Sequence, residues 1–194
     1  MIRIGTSGWN YPHWRGTFYP TELSTGQWLD YYTRRFIESV RGLGDRLGPV
    51  LFQLPPRWKA NPGRLEAFLS ELPAGMRSVF EFRDPSWMTE EILALLRRFG
   101  AAFCIYELAG YRSPNELTTD YAYVRLHGPG KAYEGSYDDA ALSAWATGAR
   151  DQDAAGTDVY IYFDNDEHGY APQNALRLRE LISGMRWTGR VAKN

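Results

Sequence analysis

The feature that most narrows the fold is a rhythm: short amphipathic strands separated by amphipathic helices along the whole chain. Strands are predicted at residues 2–7, 50–54, 78–83, 101–106, 121–127 and 158–164, bounded by Gly, Pro or polar residues. Between them, Leu65, Phe68, Leu69 and Leu72 lie on one helical stripe, as do Ile92, Leu95, Leu96 and Phe99. Asn61 and Pro62 supply a cap and first-turn pair for the first of these helices. Gly100 stops the second, behind Arg97 and Arg98. A helix around Leu142 and Trp145, and a last one entered at Pro172 with Leu178, Ile182 and Met185 aligned, complete the series. Such alternation means a parallel sheet with helical crossovers. No linker, repeat or low-complexity tract interrupts the 194 residues, so a single domain over 1–194 is expected.

Parity within the strands is the most informative signal for a site. Phe80 and Phe82 share one face, opposite Val79, Glu81 and Arg83. Ala122, Val124 and Leu126 oppose Tyr121, Tyr123, Arg125 and His127, and Val159, Ile161 and Phe163 oppose Tyr160, Tyr162 and Asp164. Strands of a plain parallel sheet, buried on both faces, read as continuous apolar runs. Here each strand sends an apolar row toward the helices and a polar row toward the middle. The charges fall at the C-terminal strand ends, where barrel enzymes keep their sites. Buried charges need partners, water or a ligand. Two readings follow: a ligand site, or a closed ion network of Glu81 with Arg83 or Arg125.

Given a site, residue type assigns the roles. His127 is the natural general acid or base, with Glu81 as its partner. Arg83 and Arg125 suit bidentate holding of a carboxylate or phosphate. Tyr133 and Tyr137 stand in the Gly-rich stretch after His127, placed to cover a ligand. That stretch, GPGKAYEG, lacks the ending of a phosphate-binding P-loop. No dedicated cofactor is predicted; a divalent metal at the acidic turn 164–168, with Glu81 and His127 across from it, is the alternative. The turn also reads simply as a helix entry, and His13 and His168 read as exposed loop residues.

The opening residues 2–20, IRIGTSGWNYPHWRGTFYP, run a strand into a loop dense in aromatics, which suits either a site or a core plug. The pattern TSGW-x-Y-x-x-W-x-G-x-FYP resembles the signature of the YecE-like family, domain of unknown function 72. FQLPPRW (52–58), FEFRDPSW (80–87), VRLHGPGKAYEGSY (124–137) and YFDNDEHGYAPQNA (162–175) follow in the same order. The resemblance implies a TIM-like α/β barrel and supplies no reaction. Carried over position by position, it adds Ser7, Trp9, Tyr11, Trp14, Gln53, Trp87, Gly128 and Asn165 to Glu81, Arg83, Arg125, His127 and Tyr133. Of these, Ser7, Trp9, Gln53, Trp87 and Asn165 join Arg83, Arg125 and Tyr133 as expected substrate-binding residues.

Six strands fall short of the eight of a TIM barrel by about two βα units. The family pattern carries two more strands between Phe36 and Ile37, where this chain passes directly on. The junction is either a true deletion, with Trp28, Tyr32, Phe36 and Val40 in one helical register, or a stretch left out of this sequence. The expected fold is therefore a TIM-barrel-like parallel sheet with outer helices, incomplete or open, whose bare edges invite self-association.

The bulk properties trim the function classes. A net charge of −1 with mixed signs gives no footprint for nucleic acid. No apolar run is long enough to span a membrane, the chain enters a strand at once, and the lone Cys104 reads as packing. A cytoplasmic protein is expected. The first functional reading is an acid–base hydrolase or lyase on a small phosphate-, carboxylate- or sugar-bearing substrate. The others are a non-catalytic ligand-binding remnant of the barrel and, by fold analogy alone, a nucleic-acid phosphodiesterase.

Overall fold

In the computed structural model, residues 15–17, 19–28, 31 and 47–184 are described. The expected strand at 2–7, the residues Ser7, Trp9, Tyr11, His13 and Trp14, and the Phe36–Ile37 junction lie outside them. The chain divides into two compact units, Met1–Gly48 and Pro49–Asn194. In the first, Tyr19 stacks on Trp28 with ring centroids 4.6 Å apart, and both are buried. A single 3-10 turn at Thr25–Gln27 precedes Trp28, and the Gln27 side chain reaches back to accept from the Ser24 backbone N–H.

The second unit is an α/β sheet with flanking helices. Its elements are β1 (Val50–Gln53), α1 (Pro62–Glu71), β2 (Ser78–Glu81), α2 (Glu90–Phe99), β3 (Ala102–Leu108), β4 (Tyr111–Arg112), β5 (Tyr121–Leu126), α3 (Asp139–Ala154), β6 (Asp158–Phe163) and α4 (Tyr170–Ser183). The strand order is β1-β2-β3-β5-β6, parallel throughout, with β4 antiparallel to β3. The helix ends follow from local chemistry. Asn61 accepts from the Arg64 N–H, Thr89 from the Ile92 N–H and Asp138 from the Ala141 N–H, satisfying first-turn donors. Gly100 closes α2 in the left-handed region.

The two faces of the sheet are chemically distinct, as parity requires. Phe80, Phe82, Phe103, Val124 and Leu126 pack beneath Leu69, Ile92, Leu96 and Leu142 of the helices. The other face gathers Val79, Cys104, Tyr106, Tyr121 and Tyr123. Tyr137, expected to cover a ligand, is buried; its hydroxyl accepts from the Gly128 N–H at 3.0 Å.

The connection from β3 to β5 carries no helix. It turns back as the β4 hairpin, and two of its hydroxyls substitute for strand partners. Ser113 Oγ accepts from the Tyr106 N–H at 2.9 Å, and Thr118 Oγ1 accepts from the Phe103 N–H at 2.8 Å. β2 pairs with β3 only at Val79↔Ala102 and Phe80↔Phe103. Further along, Glu107 pairs with Leu126 of β5 on one edge and with Arg112 of β4 on the other. β4 thus takes the edge that β2 has left, and a cleft opens between the ends of β2 and β3.

Candidate functional site

Register brings the polar row together. Gln53 stands beside Glu81, and Arg125 lies between Tyr106 and Tyr162. One residue past β5, the His127 N–H donates to Glu107 O at 2.8 Å, so the strand's course continues and the ring points to the same side as Arg125. Asp164, one residue past β6, is fixed likewise by its N–H on Leu126 O at 2.9 Å.

Four charges and one imidazole interlock there. Arg125 Nη1 donates to Glu81 Oε2 at 2.7 Å and to Gln53 Oε1 at 2.8 Å, while its Nη2 donates to Asp164 Oδ2 at 2.9 Å. Arg83 Nε lies against Glu81 Oε1, and its guanidinium sits 4.9 Å above the centroid of Tyr106. His127 Nδ1 is 3.0 Å from Asp164 Oδ2. Its Nε2 faces Arg83 Nη2 at 3.0 Å and Glu81 Oε1 at 3.4 Å. Glu81 and His127 have no exposed surface, whereas the Asp164 side chain is one-third exposed.

These contacts set the charge states. Burial alone pushes Glu81 upward, but the His127 hydrogen bond and the Arg125 and Arg83 charges outweigh it, bringing it from 4.5 down to about 2. The His127 hydrogen bond, with Arg125 beside it, holds Asp164 below the usual carboxylate range against its partial burial. Burial pushes the Tyr106 phenol up to about 12 and the Cys104 thiol well up, so both stay neutral.

Beside the cluster lies a cavity of about 360 Å³, in the range of small-molecule sites. Arg83 and Gln53 line it at the cluster side, with Tyr106, Tyr111 and Tyr133 around it. Tyr133 holds a left-handed φ of 66°, which is uncommon for an aromatic residue. Its ring meets the His127 ring edge-on at 5.5 Å. The turn demands glycine at 128: φ there is 112°, and a Cβ would collide with the carbonyl oxygens of Lys131 and Glu134.

Of the expected site residues, Glu81, Arg83, Arg125, His127 and Gln53 meet in one cluster, and Tyr133 stands at the cavity. Asn165 is buried away from it, donating to Gly135 O at 2.7 Å and Asn174 Oδ1 at 2.9 Å, and so pins the Gly-rich loop. Trp87 belongs to the apolar face, stacked on Phe82 at 4.8 Å with its N–H on Trp58 O. Ser7 and Trp9 lie outside the described residues. Tyr106 and Tyr111 were not among the expected residues; the parity of β3 would have placed Tyr106, but nothing local marks Tyr111. Among the described residues no group of three or more His, Cys, Asp or Glu side chains is arranged to hold a metal ion. No helix of the described residues is long and apolar enough to cross a membrane.

Comparison with known proteins agrees with the fold. Residues 3–37 and 33–191 match a family described as "Protein of unknown function DUF72". A DUF72 family protein from Thermotoga maritima superposes with a TM-score of 0.67 at 22% identity, over 92% of this chain and 98% of that one. One from Enterococcus faecalis gives 0.69 at 15% identity, over 88% of this chain and 69% of that one. No curated protein matches the chain.

Proposed function

Because the chain belongs to the DUF72 family of proteins of unknown function, its relatives supply no reaction, and we propose from the site itself that it is an acid–base hydrolase or lyase acting on a small anion-bearing substrate. The observation that carries this reading is that His127 has a partner for each of its protonation states. With the proton on Nδ1, held by Asp164 Oδ2 at 3.0 Å, Nε2 accepts from Arg83 Nη2 at 3.0 Å. With both nitrogens protonated, Nε2–H has Glu81 Oε1 at 3.4 Å as its acceptor once the Arg83 N–H at 3.0 Å has moved aside. A carboxylate that fixes Nδ1–H leaves the opposite nitrogen as the working base.

Arg83 both covers that nitrogen and lines the cavity. A substrate phosphate or carboxylate drawn to the guanidinium competes with Nε2 for its N–H groups. That frees Nε2 to take a proton from the substrate or from water. Glu81, ionised with its pKa near 2, serves as the fixed counter-charge and not as the proton donor. Two observations favour a second reading, binding without turnover: His127 has no exposed surface, and the charges already balance in pairs.

The test combines inorganic phosphate binding by thermal shift with turnover of a panel of phosphate monoesters, carboxylic esters and hydroxy acids. His127→Ala is expected to abolish turnover while phosphate still stabilises the fold, and Arg83→Gln to lose the phosphate shift. Phosphate binding without turnover of any panel member by the wild type would replace the enzyme reading with the binding one.

A further inference from the structure

We infer that the ligand of this site is a flat aromatic ring carrying one carboxylate or phosphate; this rests on the reading of Arg83 as the anion holder. The cavity is lined by Arg83 and Gln53 of the ion cluster and otherwise by apolar and tyrosine side chains. Arg83 and Gln53 stand together on the side of the ion cluster, and Gln53 Oε1 is already taken by Arg125. Pro56, Pro85, Met88 and Leu108 also line it and offer no side-chain hydrogen bond. A sugar would bring several hydroxyls against these apolar groups, with only the tyrosine hydroxyls as further protein partners. A flat apolar ring loses nothing there.

The aromatic residues support the same occupant. Tyr111 and Tyr133 are 47% and 46% exposed, large rings left facing solvent although both line this one cavity. Tyr111 is brought to it by the β4 hairpin, and Tyr133 by a backbone in the left-handed region. Tyr106 cannot offer its guanidinium-covered face, since Arg83 occupies it. The two exposed rings therefore supply stacking surface, and Arg83 beside them supplies the charge.

Isothermal titration tests this with four probes: inorganic phosphate, phenyl phosphate, benzoate and glucose 6-phosphate. Phenyl phosphate is expected to bind roughly tenfold more tightly than inorganic phosphate, the advantage of one added aromatic contact. Glucose 6-phosphate should bind no better than inorganic phosphate. Tyr133→Gly, which suits the left-handed backbone, and Tyr111→Ala should each reduce the phenyl advantage and leave inorganic phosphate binding unchanged. Equal affinity for the two phosphates, or tighter binding of the sugar phosphate, overturns the aromatic ligand and leaves the anion site standing. If neither the phosphates nor benzoate bind, the anion site falls as well.

Discussion

Stripped of water and given no partner, a carboxylate at position 81 would hold its proton well above the usual range. The neighbours reverse that, and the reversal is a stability statement. A pKa lowered from 4.5 to about 2 is worth about 3 kcal/mol of folding free energy in the ionised state. Because the folded value lies below the unfolded one, this contribution is complete above about pH 4.5 and drains away as pH falls toward 2. Glu81→Gln leaves two guanidiniums against a neutral amide. It is expected to cost about 3–5 kcal/mol by urea denaturation at pH 7, with a smaller deficit against wild type near pH 3. The apolar face obeys different rules. Phe82 is fully buried against Trp87 and Phe80, so Phe82→Ala should cost about 3–5 kcal/mol with no dependence on pH, read from the same denaturation curves. Both residues were legible in the sequence because they alternate on one strand. Trp87 and Asn165 were not legible, since motif membership says nothing about which face a loop residue turns to.

At the scale of elements, two helix ends lie where the sequence put them, Asn61 and Gly100, whereas α4 begins at Tyr170, two residues before Pro172. β4 went unseen, and its turn explains why. The two residues joining β3 to β4 are Ala109 and Gly110, with φ of 51° and 79°. A two-residue hairpin with both central φ positive normally advertises itself by Asn-Gly or Gly-Gly. Alanine is a poor signal because the left-handed region costs it about 1–2 kcal/mol. Ala109→Gly should therefore raise stability by about 0.5–1 kcal/mol, seen as a higher thermal midpoint, because relief of that cost exceeds the added chain entropy. The helix-free return from β3 was hidden for a related reason. Hydroxyls of Ser113 and Thr118 satisfy the strand's backbone there, and isolated Ser or Thr residues in a loop carry no periodicity to read.

Across the whole molecule, five of the six expected strands recur in order among the described residues, and the parallel sheet with flanking helices is the fold that the alternation implied. The family match comes as two stretches that overlap at residues 33–37, the neighbourhood in which motif comparison set two missing units. The site's geometry also bears on inheritance. The β2–β3 ladder holds only two residue pairs, against six between β5 and β6. Above the point where that ladder ends, Glu81 of β2 is tied to Arg125 of β5 across the intervening strand. The charged cluster is thus a clasp on the shortest parallel ladder of the sheet as well as the chemical centre. Selection for a sound fold would keep these residues in a lineage whose substrate had long since vanished. Their persistence in any relative therefore testifies to the clasp before it testifies to a reaction.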